Sequence, residues 1–170
     1  ITILHWTDLT LRHALLFLIG WEIMALASFF LICTEDRDPE VRKAGWLYMM
    51  LTHVGILALF GAFAIFRKVT GSMVLRPLAA HEAGLGLLTC LFFLFLLAFG
   101  LKAGIMPLHV WLPSAHARAP SHVSAMMSGV VIKMGIYGLV RFLGFLPDPP
   151  VSWGAILLFL GTVSGVVGVL

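Results

Sequence analysis

The 170-residue chain is 61% hydrophobic and 11% charged, with a mean hydropathy of +1.04. A soluble domain carries about 25% charged residues, so this composition excludes one and points to an integral membrane protein. The net charge of +3 is scattered along the chain, which leaves no basic block to grip nucleic acid.

Crossing the hydrocarbon takes about 20 apolar residues, and five stretches qualify, at about 9–33, 41–66, 83–117, 121–145 and 151–170. The expected fold class is an all-α integral membrane protein, a polytopic helix bundle in a single transmembrane domain. Thr7 or Asp8 is placed to cap the first span, and the mixed-charge run TEDRDPEVRK, 34–43, ends it. The second span stops at Arg67-Lys68, and a polar connector with Gly71, Arg76 and Pro77 leads into the third. The fourth closes at Pro147-Asp148-Pro149-Pro150. The chain begins with Ile, has no cleavable signal and ends inside an apolar run, so it reads as an internal piece of a longer membrane protein. Arg and Lys divide four against five between the two sides, so charge bias gives no orientation.

The third stretch is too long for one straight helix. Residues 83–117 would extend about 52 Å, against a hydrocarbon core of about 30 Å. Gly104 and Pro107 fall near its middle, where proline removes a backbone hydrogen bond and bends the helix. Two half-helices, 83–103 and 108–117, are expected around a break, an arrangement tolerated in membranes where freed backbone is buried or lines a cavity.

Three charges sit where the bilayer disfavours them. Glu22 lies inside the run 14–33, Lys133 inside 123–146, and Lys102 closes 83–101 beside the expected break. An ionisable group at the bilayer centre costs about 2.5–3.5 kcal/mol on insertion scales and marks ion or proton handling. Burial disfavours the charged form of a lysine, whereas a nearby acid favours it. A lysine whose acid partner approaches and withdraws can therefore be loaded and unloaded with a proton. Glu22, the one acid in the middle of a span, is the expected partner of Lys102; the bland reading of the same pair is a static ion pair that fixes helix packing.

At about 100° per residue, His122, Gly129 and Lys133 fall on one stripe, with Tyr137 slightly off it. That stripe is a candidate lining for a water path, and His53 in the second span is a weaker one. Ser121, Ser124, Ser128 and Gly135 fall on the opposite side, as small residues for close helix contact. Trp6, Trp46, Trp111 and Trp153 lie near span ends and fit an interfacial belt. Cys33 and Cys90 read as small core residues. His109, His116 and His122 match no tight zinc spacing, so no metal site is expected. With no nucleotide loop, haem-ligand pair or Fe–S cysteine set, no cofactor is expected in this segment.

The stretch LKAGIMPLHVWLPSAHARAPSHVSAMMSGVVIKMGIYGLVRF, 101–142, strongly resembles the proton-conducting antiporter-like family. That family includes membrane-arm subunits of NADH–quinone oxidoreductase, multisubunit sodium/proton antiporters and membrane-bound hydrogenases. The specific features are P-L-H-x-W-L-P at 107–113, a lysine five residues ahead of it, and the I-K-x-G-x-Y-G helix that follows. The W-E-x-M segment, 21–24, resembles the family's glutamate-bearing helix. The resemblance implies two inverted five-helix repeats, each with a broken helix, of which this chain supplies most of the first and the start of the second. It places the family's buried glutamate on Glu22, the broken-helix lysine on Lys102 and the connecting residue on Lys133. Ser114 stands where NADH–quinone oxidoreductase members read W-L-P-D. Together with A-P-S-H-V-S-A at 119–125, it resembles the large antiporter-like subunit of hydrogenase-4 and formate hydrogenlyase complexes.

The expected function is thus proton translocation through a Glu/Lys relay in a hydrogenase-type complex of a prokaryotic inner membrane. The implied partners are other membrane-arm subunits and a peripheral redox module of hydrogenase or NADH dehydrogenase type. Fe–S, Ni–Fe or flavin centres are expected in those partners only. A proton-pumping subunit of NADH–quinone oxidoreductase, a sodium/proton antiporter subunit and a non-transporting membrane scaffold stay open as alternatives.

Overall fold

The structure is a computed structural model that describes residues 12–35 and 37–169; the expected cap at Thr7 or Asp8 and the belt residue Trp6 lie outside them. The first helix, α1 (Ala14–Ile32), is apolar except at Glu22 and runs into a 3₁₀ turn at Cys33–Glu35. Asp38 then caps α2 (Pro39–Thr70), its carboxylate accepting the Glu40 N–H at 2.8 Å. Pro39 sits in the first turn, where a missing N–H costs no helical bond.

α2 passes the stop expected at Arg67-Lys68. Both cations lie in its last turn, where they complement the exposed carbonyls. Gly71, at φ 70°, closes the helix in the left-handed conformation. The 32 residues of α2 extend about 48 Å, longer than the hydrocarbon core.

The connector is tied down rather than loose. Ala14 N–H donates to Met73 O at 2.9 Å, and Leu78 N–H donates to Phe145 O at 2.8 Å. Arg76 and Glu82 join through a two-point guanidinium–carboxylate contact, one arm at 2.9 Å. That contact, with the Ala79 N–H, holds Glu82 at about 2 rather than the ordinary 4.5.

Next come α3 (Leu85–Ala103) and, after the break, the short α4 (Trp111–Arg118). α5 (Ser121–Met126) continues through a π-helical turn, Met127–Val131, into α6 (Ile132–Leu143). α7 (Val151–Val169) completes the chain. Five of these spans are long and apolar enough to cross a membrane, and no strand is formed among the described residues. The bundle is the all-α membrane architecture anticipated from composition.

Two apolar clusters hold it together. The larger spans α1, α2, α3 and α6 through Phe17, Phe63, Phe95, Phe99 and Phe142, whose rings meet at centroid distances of 5.1–6.5 Å. The smaller one gathers Ile32, Tyr48, Trp111, Ala115, Val123 and Met127 around α4.

α6 comes against α3 backbone to backbone: a Cβ on Gly135 would stand 2.5 Å from Ala103 N, so only glycine permits the approach. Among the small residues expected on that side, Gly135 makes the contact. Ser124 instead binds His116, Oγ to Nδ1 at 2.7 Å.

The structure corrects two assignments. Trp111 (2% exposed) and Trp153 (5%) are inside the fold rather than in an interfacial belt: Trp153 stacks on Phe92 at 4.6 Å. Cys90 is exposed on α3 rather than buried in the core, and Cys33 is half-buried beside Gly45.

Candidate functional site

The break in the third span is built from an accounting of backbone groups. Gly104 adopts φ 67° and ends α3, its N–H donating to Gly100 O. Ile105 N–H also turns back to Gly100 O, at 3.0 Å. Leu101 O therefore loses the partner a continuous helix would supply. The indole N–H of Trp111 takes its place at 2.7 Å, as buried backbone groups require. On the outer side, Met106 N–H donates to Ser164 Oγ of α7 at 2.9 Å. Seven residues, Gly104 to Val110, separate the two half-helices, so the second one starts three residues later than the expected 108. Pro107 lies in this stretch, exposed, after a cis peptide bond.

Lys102 occupies the last turn of α3, only 3% exposed. Its ammonium donates to the Tyr48 hydroxyl at 2.9 Å. Nζ is also 5.3 Å from the centre of the Tyr48 ring, on the hydroxyl side of the ring rather than above its centre. The Trp21 ring is 5.8 Å away, at the outer limit for cation–π attraction. Tyr48 in turn meets Trp111 edge to face at 5.1 Å. The lysine thus lies between the two apolar clusters, with the phenylalanine cluster toward the connector end and the Tyr48–Trp111 cluster toward α4. On the α4 side of the bundle a cleft of about 360 Å³ is lined by Glu40, Lys43, Leu47, Ser114 and Arg118.

Glu22 does not pair with Lys102. Its Oε1 lies 3.2 Å from His53 Nε2, with the two side chains 32% and 46% exposed. Its Oε2 is buried and has no hydrogen-bond partner among the described residues. The geometry follows from the helices. Trp21, one position earlier on α1, points inward to Lys102, so Glu22, about 100° around the helix, points to the α2 flank. His53 is five residues beyond Tyr48 and about 140° around α2, which directs it away from the lysine. One long helix therefore serves both charged sites on different faces.

Lys133, His122, Gly129 and Tyr137 are all exposed, on the face of the α5–α6 rod turned away from the core. No hydrogen bond or ion pair of Lys133 occurs among the described residues. The π-helical turn comes directly before it, a local unwinding that often marks functional positions. Among the described residues no three His, Cys, Asp or Glu side chains come together as a metal site.

Tyr48 is the site residue that sequence reasoning passed over. A buried lysine is satisfied by a neutral hydrogen-bond partner as well as by an acid, and a phenol carries no charge to announce it. The only signal available was a lone tyrosine in an apolar span.

Comparison with known proteins fits this architecture. The pattern that describes the NADH:quinone oxidoreductase/Mrp antiporter transmembrane family matches residues 12–170. An uncharacterized protein of Mycobacterium tuberculosis is 43% identical over 155 residues, 91% of this chain and 24% of that protein. Hydrogenase-4 component B of Escherichia coli K12 is 37% identical over 165 residues, 95% of this chain and 24% of that protein. Among solved structures, the Mrp complex from Dietzia sp. DQ12-45-1b contains a chain that superposes with a TM-score of 0.83 at 29% identity, over 92% of this chain and 17% of that one. The chain thus spans about a quarter of the length of the curated relatives it matches.

Proposed function

Because the chain belongs to the NADH:quinone oxidoreductase/Mrp antiporter transmembrane family, we propose that it is part of a proton-translocating subunit of a hydrogenase-type redox complex. The observation that carries this reading is Lys102: a lysine 3% exposed at a helix break, held by a neutral phenol. A permanently charged lysine in that place would carry an uncompensated desolvation cost of several kcal/mol. A lysine that exchanges a proton occupies it in either state, since both the amine and the ammonium donate to Tyr48.

Protons enter from the α4 side, where the cleft bears Glu40, Lys43 and Arg118, while the packed phenylalanine rings close the connector side to water. From Lys102 the proton moves through water toward Lys133, whose exposed side chain faces outward. Redox chemistry in partner subunits, at Fe–S, Ni–Fe or flavin centres, drives the cycle by shifting charge along neighbouring membrane subunits. The similarity to hydrogenase-4 component B supports the hydrogenase-type assignment, and a prokaryotic inner membrane is the corresponding location.

Lys102→Ala in the full-length protein tests the reading. The complex assembles and the redox partner turns over, but dye-reported proton movement in inverted vesicles is lost. Normal pumping by the assembled variant would overturn the relay. Loss of assembly without any coupled transport in the wild type would mark a scaffold.

The Mrp structural match favours a second reading, sodium/proton antiport without electron transfer. Proton movement driven by a sodium gradient alone, with no redox substrate present, would select it.

A further inference from the structure

The Glu22–His53 contact plays no part in the lysine steps above, yet its hydrogen-bond arithmetic is constrained. His53 Nδ1 lies 2.9 Å from the Met49 carbonyl oxygen. A carbonyl only accepts, so Nδ1 bears a hydrogen. Neutral imidazole has one N–H, and with Nδ1 holding it Nε2 is a bare acceptor. Nevertheless Nε2 stands 3.2 Å from Glu22 Oε1. A carboxylate oxygen is also a bare acceptor, and two such atoms repel at that separation. A second proton therefore belongs in the contact, on the ring as imidazolium or on the carboxyl as the neutral acid. Either way the pair is neutral overall.

The surroundings give that neutrality a purpose. Glu22 lies about 12 Å along α1 and His53 about 21 Å along α2, well inside the spans at both ends. Glu22 Oε2 is buried and takes no donor from any described group, a costly place for a full negative charge. Removing the shared proton would leave one net negative charge at this depth and two lone pairs facing each other. The contact then has to open, or a cation has to arrive.

We propose that Glu22 and His53 form a proton-loading couple, closed while it holds one exchangeable proton between Nε2 and Oε1 and open once that proton has left. On unloading, one N–H or O–H bond of the pair breaks and one N–H bond forms on the receiving base, the Lys102 amine reached through water. The pair passes from neutral to a single negative charge as the lysine becomes an ammonium. This inference rests on the relay reading and assigns His53 the role of holding and releasing Glu22's proton.

The test uses the full-length protein in its native complex, reconstituted in vesicles, with His53→Gln and Lys102→Ala compared side by side. Glutamine places an amide near the Nε2 position, within reach of Glu22, but takes up no proton. The couple predicts that His53→Gln assembles and retains redox turnover but loses proton movement by about 100-fold or more, the contribution of a positioned proton-transfer group. Wild-type transport in His53→Gln with transport lost in Lys102→Ala would overturn the couple and spare the relay. Normal transport in Lys102→Ala would overturn both.

Should His53→Gln fail to assemble, infrared difference spectroscopy of the wild-type complex decides. A carboxylic-acid band that shifts with isotope-labelled glutamate should change in the same step as ring bands that shift with isotope-labelled histidine. Absence of either signal would overturn the couple.

Discussion

Lys102 and Lys133 sit on two helices in backbone contact, and their surroundings are opposite. Lys102 is enclosed by Tyr48, Trp21 and two apolar clusters, with one neutral hydrogen bond. Lys133 stands exposed beside a π-helical turn, with no bond to a described residue. The difference bears on the proposed relay. There the enclosed lysine would be the position sensitive to small changes nearby, because a low dielectric magnifies electrostatic interactions, and the open lysine would be the next stop for the proton.

The largest expected effect removes the enclosure itself. Gly135→Leu forces α6 off α3, since a Cβ alone already meets Ala103 N at 2.5 Å. Overpacking of this kind costs about 3 kcal/mol, and the temperature of thermal inactivation in detergent should fall sharply. Gly129→Ala, where a Cβ meets nothing within 4 Å, should stay within about 0.5 kcal/mol of wild type in the same assay. Equal losses in the two variants would break the distinction between a closed and an open flank.

Next in size is Tyr48→Phe, which keeps the shape and deletes the hydroxyl. Lys102 Nζ is then left buried without a partner, a loss of about 1–3 kcal/mol visible as a lower unfolding temperature. Proton movement should fall with it. An unchanged variant would mean that the lysine finds another partner and that Tyr48 is not its anchor.

Lys133→Gln sharpens the contrast from the other side. With no described bond to lose, its stability should remain within about 0.5 kcal/mol of wild type, while transport through the outward step is lost. A large fall in melting temperature would show that Lys133 has a structural partner.

The smallest effect belongs to the connector, outside both lysine sites. The Glu82 carboxyl is held at about 2, below the ordinary 4.5, first by its Arg76 hydrogen bonds and then by the Ala79 N–H. The stability it adds is therefore complete above 4.5 and is lost as the pH falls through about 2. Arg76→Gln should move that loss upward toward 4.5, read as hydrogen exchange of 71–84 corrected for its intrinsic pH dependence. The pair lies in the connector, outside both lysine sites, so transport at neutral pH should be untouched.

How much of this was legible in the sequence follows from what sets each feature. The spans and the break at Gly104 and Pro107 come from local rules of hydropathy, proline and helix length, and they were readable. Helix ends at Thr70 and Trp111 were not, because they depend on a left-handed glycine cap and on an indole that claims Leu101 O. The pairing of charges was the least legible. Depth places Glu22 and Lys102 at similar levels, but direction around the helix decides contact, and packing sets that direction. Trp21 is turned inward by stacking on Phe17 at 5.3 Å, which sends Glu22 to His53. The same blindness put Trp111 and Trp153 at an interface when they fill the interior.

The junction of Gly135 with Ala103 also bears on speed. It joins α3 and α6 one residue from Lys102 and two residues from Lys133. With a contact that tight, one helix slides past the other only by repacking, a motion of microseconds to milliseconds. On the proposed relay, a proton passing between these lysines would therefore rely on side-chain and water rearrangement across a gap that the two backbones hold.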